Sequence, residues 1–240
     1  MSRSMHVFRR AGAEFVGTAF LVAAVIGSGI AASRLSPDDV GLQLLENSLV
    51  TGAALVALIL ALQPVSAAFN PVVTLVEVVL GLVGKGEAVP LIGAQFAGGF
   101  VGAVVANLMF DLDAISISTH DRTGADLWLG EVVATLGLLL VIFGSVRSGR
   151  TETIAYAVGG YITAAYWFTS STSFANPAVT VARMFSDTFA GIAPSSVAMF
   201  VLMQLVGGAI AVGAVKLLYP LDTLDTLDPE AAAHGEGTPA

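Results

Sequence analysis

The sequence predicts an all-α membrane protein built as an inverted repeat: six transmembrane helices and two re-entrant half-helices. Three observations predict it. Apolar residues make up 55% of the 240-residue chain and charged residues only 12%. A soluble domain carries roughly a quarter charged residues, so lipid replaces water over most of this surface. Six apolar runs approach the length of about 20 residues that crosses a bilayer. Two further apolar pieces are too short to cross, and each opens with Asn-Pro.

The first run, 11–33, is long enough to span and lacks a clear cleavage site, so it reads as a permanent helix. The runs 42–62, 88–110, 127–146, 153–168 and 194–218 follow, the fifth being short and extending toward Thr151. The short pieces are 70–81, between the second and third runs, and 176–185, between the fifth and sixth. Proline suits the first turn of a helix, where its missing N–H costs nothing, and the asparagine before it can cap. Both pieces therefore read as half-helices that begin inside the membrane. Residues 1–220 form one domain, with repeats at about 11–110 and 127–218. The last stretch, 221–240, holds Asp222, Asp225, Asp228, Glu230 and Glu236 and is expected to be a disordered acidic tail.

Charge sets the orientation. Alternate crossings put Arg3, Arg9, Arg10, Lys85, Arg147, Arg150 and Lys216 on one side and leave Arg34, Arg122 and Arg183 on the other. The excess of cations marks the cytoplasmic side and assigns both termini to it, in the inner (plasma) membrane. A net charge of −8 offers no basic footprint for nucleic acid. The chain has no cysteine, which excludes disulfides and thiolate chemistry. His6, His120 and His234 are scattered, so no metal site is expected. No nucleophile–base pair or phosphate loop points to an enzyme or to a cofactor.

The two halves echo each other. Ala13-Glu14-Phe15-Val16 matches Gly130-Glu131-Val132-Val133. Asn70-Pro71-Val72-Val73-Thr74 matches Asn176-Pro177-Ala178-Val179-Thr180. Gln95-Phe96-Ala97-Gly98-Gly99 matches Gln204-Leu205-Val206-Gly207-Gly208. An odd number of crossings per half inverts one half against the other, and broken helices in such repeats meet near the midplane. Non-helical backbone at that depth survives only where protein or a water-filled cavity surrounds it. Glu14 and Glu131 lie within spanning segments, where acids face the bundle interior. One reading makes them a proton relay. The favoured reading makes each an acceptor for backbone N–H groups of a re-entrant loop. Gln95, Gln204, Gly98 and Gly102 are assigned to helix packing, and Trp167 and Phe168 to the membrane interface.

The paired boxes Asn70-Pro71-Val72 and Asn176-Pro177-Ala178, with Glu14 and Glu131, resemble the aquaporin (major intrinsic protein) family over residues 11–218. The resemblance implies a right-handed bundle with both half-helix N-termini at the bilayer centre, and Asn70 and Asn176 as donors to a permeant. It also implies a homotetramer with a pore in each subunit, held in membrane lipid, that passes small neutral solutes.

The chain departs from that pattern in two places. Valine replaces alanine at Val72, adding methyl groups beside the constriction. Val179 stands where most of the family has a filter arginine, and Arg183 follows four residues later, one turn outward. Arg183 is a candidate for the outer mouth or a snorkelling cation at a helix end. Matching by position gives a filter of Thr51, Ala164, Ser173 and Val179, wide and arginine-free. Such a ring favours glycerol, urea or metalloid hydroxides such as arsenous acid, with weaker exclusion of ions. The run 171–180 is similar to a bacterial aquaporin-like subgroup associated with arsenic resistance. The rival readings are a secondary transporter that couples solute to an ion through the same inverted repeat, and a structural protein with a closed pore.

Overall fold

A computed structural model describes residues 3–220; the tail at 221–240 lies outside the described residues. The chain forms α1 (Arg3–Leu35), α2 (Val40–Leu62), α3 (Pro71–Val79), α4 (Lys85–Met109), α5 (Ala125–Arg147), α6 (Ile154–Phe168), α7 (Pro177–Arg183) and α8 (Pro194–Leu218). Among the described residues, five of these are long and apolar enough to cross a membrane. The sixth crossing, α6, has 15 residues and is entered through a 3-10 turn at Thr151–Thr153. The first helix begins well before its apolar run. Its 33 residues reach about 50 Å at 1.5 Å per residue, so its first turns stand outside the hydrocarbon layer.

Polarity is inverted relative to a soluble protein. Phe20, Leu108 and Leu129 are more than half exposed, while Glu14, Gln95, Asn107, Glu131 and Gln204 are completely buried. Lipid accepts the first group at no cost. The second group must find partners inside the bundle.

The packing repeats with the sequence. In the first half α1 packs on α2 and α4; in the second α5 packs on α6 and α8. The halves meet where α2 lies against α6. The half-helices α3 and α7 touch each other, and each packs against the last helix of both repeats, α4 and α8. Each short helix is thus enclosed by protein, as backbone at membrane depth requires.

Close approach depends on particular glycines. A Cβ at Gly98 or Gly102 would run into the Phe15 or Ala19 carbonyl of α1. In the second repeat a Cβ at Gly207 would meet the Val132 carbonyl of α5 at 2.7 Å. Main-chain atoms cannot swing aside, so Gly98→Val forces α1 and α4 apart. The expected cost is about 1–3 kcal/mol, read as a lower unfolding temperature of the detergent-solubilised protein. Gly93→Val, on an open face of the same helix, should leave that temperature unchanged.

Candidate functional site

Beyond α2 the chain leaves the helix, and residues 66–69 run without regular structure to Asn70. Their N–H groups need acceptors that lipid cannot supply. Glu14 of α1 supplies them. Its Oε1 accepts from Ser66 Oγ at 2.5 Å and from Ala68 N at 2.9 Å; its Oε2 accepts from Phe69 N at 2.7 Å. Gln95 Nε2 donates to the same Oε2 at 2.8 Å and to Thr74 Oγ1 at 3.0 Å, so it ties the loop clamp to the half-helix α3. The second repeat does the same. Glu131 accepts from Phe174 N and Ala175 N, both at 2.9 Å. Gln204 Nε2 donates to Glu131 at 2.6 Å and to Thr180 Oγ1 of α7 at 2.8 Å. The glutamines therefore do more than pack. The signal was present in the sequence: each holds a matched place in its repeat, and a buried carboxamide needs hydrogen-bond partners.

The two clamps hold a strained backbone. Phe69 and Ala175, each directly before an asparagine, both have φ of 48°. For residues with a Cβ this left-handed region costs of order 1–3 kcal/mol. In each case the strained residue's N–H is one of the two backbone donors that the buried carboxylate accepts. The turn sends the next residue into an extended cap, and Pro71 or Pro177 starts the half-helix.

The asparagines use both ends of their carboxamides. Asn70 Oδ1 accepts from Val72 N at 3.0 Å, and Asn176 Oδ1 accepts from Ala178 N at 3.0 Å and Val179 N at 3.2 Å. Each Nδ2 reaches across to the other repeat: Asn70 donates to the Ala175 carbonyl and Asn176 to the Phe69 carbonyl, both at 2.7 Å. The two tips are therefore laced together. An NH2 group has two hydrogens, so each asparagine keeps a second donor beyond the cross-link.

Both asparagines lie in the wall of a cavity of about 500 Å³. Along α1 its lining runs from His6 to Val25, about 28 Å at the helical rise, close to the thickness of a bilayer core. Leu55, Ile59, Leu138, Ile142 and Val158 make one side apolar, and the loops before the half-helices supply the polar side. Thr51, Ser173, Val179 and Arg183 all line it. Glu77, at the inner end of α3 and not singled out from sequence, lines it near Arg10.

Two expected placements are corrected. Ala164 is exposed on the outside of α6 and does not line the cavity. The inward stripe of that helix is Val158, Ile162 and Tyr166, at helical spacing of four; Ala164 falls about 200° from it at 100° per residue. Tyr166 lines the cavity from this helix, its hydroxyl 3.1 Å from Thr51 Oγ1. Val72 does not project beside the constriction. It is buried in a cluster with Leu139 and packs where Gly208 lacks a side chain. Trp167 and Phe168 are about half exposed, and Trp167 Nε1 donates to Ser48 Oγ at 3.1 Å.

Arg183, expected either at the outer mouth or snorkelling at a helix end, lines the cavity and does not snorkel. Arg183 is 2% exposed; its Nε donates to the Ala190 carbonyl and its guanidinium lies 3.4 Å from the centre of the Phe174 ring. Arg122, from the loop before α5, stands 5.1 Å from the same ring and donates from Nε to the Gly191 carbonyl at 2.9 Å. Burial pulls the Arg122 guanidinium down to about 10, which leaves it a cation at neutral pH.

A model of the family described as Major intrinsic protein matches residues 1–153, more than half of the chain. The chain belongs to the major intrinsic protein family. Among curated relatives it is 47% identical to the aquaglyceroporin AqpS of Rhizobium meliloti (strain 1021) over 211 residues, 88% of this chain and 90% of that protein. It is 30% identical to aquaporin A of Dictyostelium discoideum over 191 residues, covering 74% of this chain and 68% of that protein. Among solved structures, the aquaglyceroporin from Plasmodium falciparum superposes with a TM-score of 0.69, covering 91% of this chain and 99% of that one, at 19% identity. The fold is accordingly the aquaporin-like helical bundle, and this member of the family is a multi-pass membrane protein.

The clamp predicts a measurable cost. Glu131→Gln replaces one accepting oxygen by an NH2 that opposes the loop's own donors. It should lower stability by about 1.5–3 kcal/mol for each amide hydrogen bond to the charged group that is lost. Thermal unfolding of the purified protein measures this; Glu14→Gln should fall by a similar amount because the first clamp has the same construction.

Proposed function

We propose that the protein is a passive channel for water and small neutral solutes, which pass between the two asparagine tips. The observation that carries this reading is the presence of Asn70 and Asn176 in the wall of one cavity that extends about 28 Å along α1. A permeant that sheds water there meets an apolar surface on one side and fixed donors on the other. The free hydrogens of the two carboxamides replace part of its hydration. The half-helix N-termini each add about half a positive charge, which opposes cations and hydronium.

Glycerol, urea and metalloid hydroxides such as arsenous acid are the solutes proposed. A relative that is 47% identical bears the name aquaglyceroporin, and that supports a pore wider than one for water alone. Tyr166 and Arg183 add an aromatic hydroxyl and a cation to Thr51, Ser173 and Val179, so the outer end is a polar ring of mixed size. Arg183 in the wall removes the premise for weaker ion exclusion. A homotetramer in the inner membrane, with both termini cytoplasmic, completes the reading. The cation asymmetry supports that orientation.

Passive conduction fits the acids better than ion coupling does. Glu14 and Glu131 are fully buried, do not line the cavity, and each accepts several hydrogen bonds. A proton relay through the bilayer needs a series of acids facing the transport path, whereas among the described residues the lining holds a single acid, Glu77 at the inner end of α3.

Stopped-flow light scattering of proteoliposomes tests the proposal. Glycerol and water flux should rise linearly with gradient and show a low activation energy; saturable flux that requires an ion gradient would overturn it. Val179→Arg places a second long cation beside Arg183. It should slow glycerol several-fold while water continues to pass, and unchanged selectivity would remove Val179 from the filter.

A further inference from the structure

Arg183 presents an electrostatic problem that the channel reading does not resolve. It is a buried guanidinium, and no carboxylate forms an ion pair with it among the described residues. The acids nearest this end are engaged elsewhere. Asp121 accepts from Thr123 and Ser196, Asp187 accepts from Thr119, and Glu131 accepts from the loop and Gln204. The neighbouring charge that also faces Phe174 is a second cation, Arg122. An aromatic face and one carbonyl hold Arg183 in place but do not neutralise it.

The donors around it are also incompletely used. Nε of Arg183 is bonded to the Ala190 carbonyl, while Nη1 and Nη2 have no acceptor among the described residues. Ser173 Oγ is buried in the cavity wall and has no hydrogen-bond partner among the described residues. In the Thr51–Tyr166 pair one hydroxyl donates to the other, which leaves one hydroxyl hydrogen over. Arg183, Ser173, Thr51 and Tyr166 line the same cavity from four different elements.

We propose that the outer end of the cavity is a binding site for a small monocarboxylate, held by the Nη1/Nη2 edge of Arg183 with a hydrogen bond from Ser173 Oγ. A planar carboxylate matches the parallel donors of a guanidinium edge. One negative charge supplies the counter-ion that the wall lacks. A bound carboxylate occupies the path of neutral solutes, so it competes with them and does not follow them through the apolar stretch beyond. This last consequence rests on the channel reading, whereas the binding itself does not.

The test is the ¹³C line width of labelled formate mixed with the purified full-length protein in detergent, at about pH 7.5, well above the range of carboxylic acids. The native protein should broaden the line, unlabelled formate should reverse the effect, and formamide, similar in shape but uncharged, should not. Arg183→Leu should weaken binding about tenfold or more, as expected for loss of a charge-assisted pair. Arg183→Lys, with the charge but not the fork, should fall between the two, and Ser173→Ala should show a smaller loss. Arg34→Leu, on the exposed end of α1, should bind as the native protein does. Absence of broadening with the native protein, displacement by formamide, or equal broadening with Arg183→Leu overturns the proposal. Because no flux is measured, these outcomes are independent of whether the cavity conducts.

Discussion

The structure depends on two buried carboxylates that bond to main-chain N–H groups. Glu14 and Glu131 each reach from the first helix of a repeat into the loop that ends at an asparagine. Without them, the loops would carry buried, unpaired donors, and the left-handed residues Phe69 and Ala175 would lose the bonds that hold them. The glutamines extend each clamp to the half-helix that follows, through Thr74 and Thr180. Burying a charge is costly, and here several hydrogen bonds to each carboxylate offset that cost.

That arrangement gives the cavity its chemistry. A continuous helix would direct its carbonyls and N–H groups at each other and leave only side chains for a permeant. Breaking the helix twice brings side-chain donors to the wall of the cavity, and the cross-bonds Asn70–Ala175 and Asn176–Phe69 keep the two tips in register. Each tip borrows an acceptor from the opposite repeat, so neither half is complete alone. The opposite side of the cavity, contributed by α2, α5 and α6, is apolar.

Much of this was legible in the sequence because it rests on local rules. Asn-Pro is both a cap and a helix start, an apolar run of fixed length crosses a bilayer, and an acid inside such a run must face protein. The repeat made these signals mutually supporting, since Glu14 with Glu131 and Gln95 with Gln204 occur in the same order around each box. The filter was less legible. Counting along α6 selected Ala164, whereas the helix presents Tyr166 inward, because the phase of a helix is fixed by what it packs against. Mean apolarity was no guide, as residues on both sides of α6 are apolar. Val72 was placed beside the pore by sequence proximity to Asn70, yet one residue along a helix is a rotation of about 100°. Arg183 looked like a candidate for snorkelling to water, and burial over Phe174 was set by a residue nine positions earlier in another segment.

The sequence by itself determined the membrane setting, the count and order of the helices, the inverted repeat and the two broken-helix boxes. These follow from composition, run length and capping chemistry, which act within a few residues. Only the tertiary structure decided which side chains share the cavity, that the two asparagines bond across the repeat boundary, and that the outer end holds an unneutralised arginine. Those facts depend on the rotation of each helix about its axis and on contacts between residues a hundred positions apart. Packing sets such relations, and no local signal encodes them.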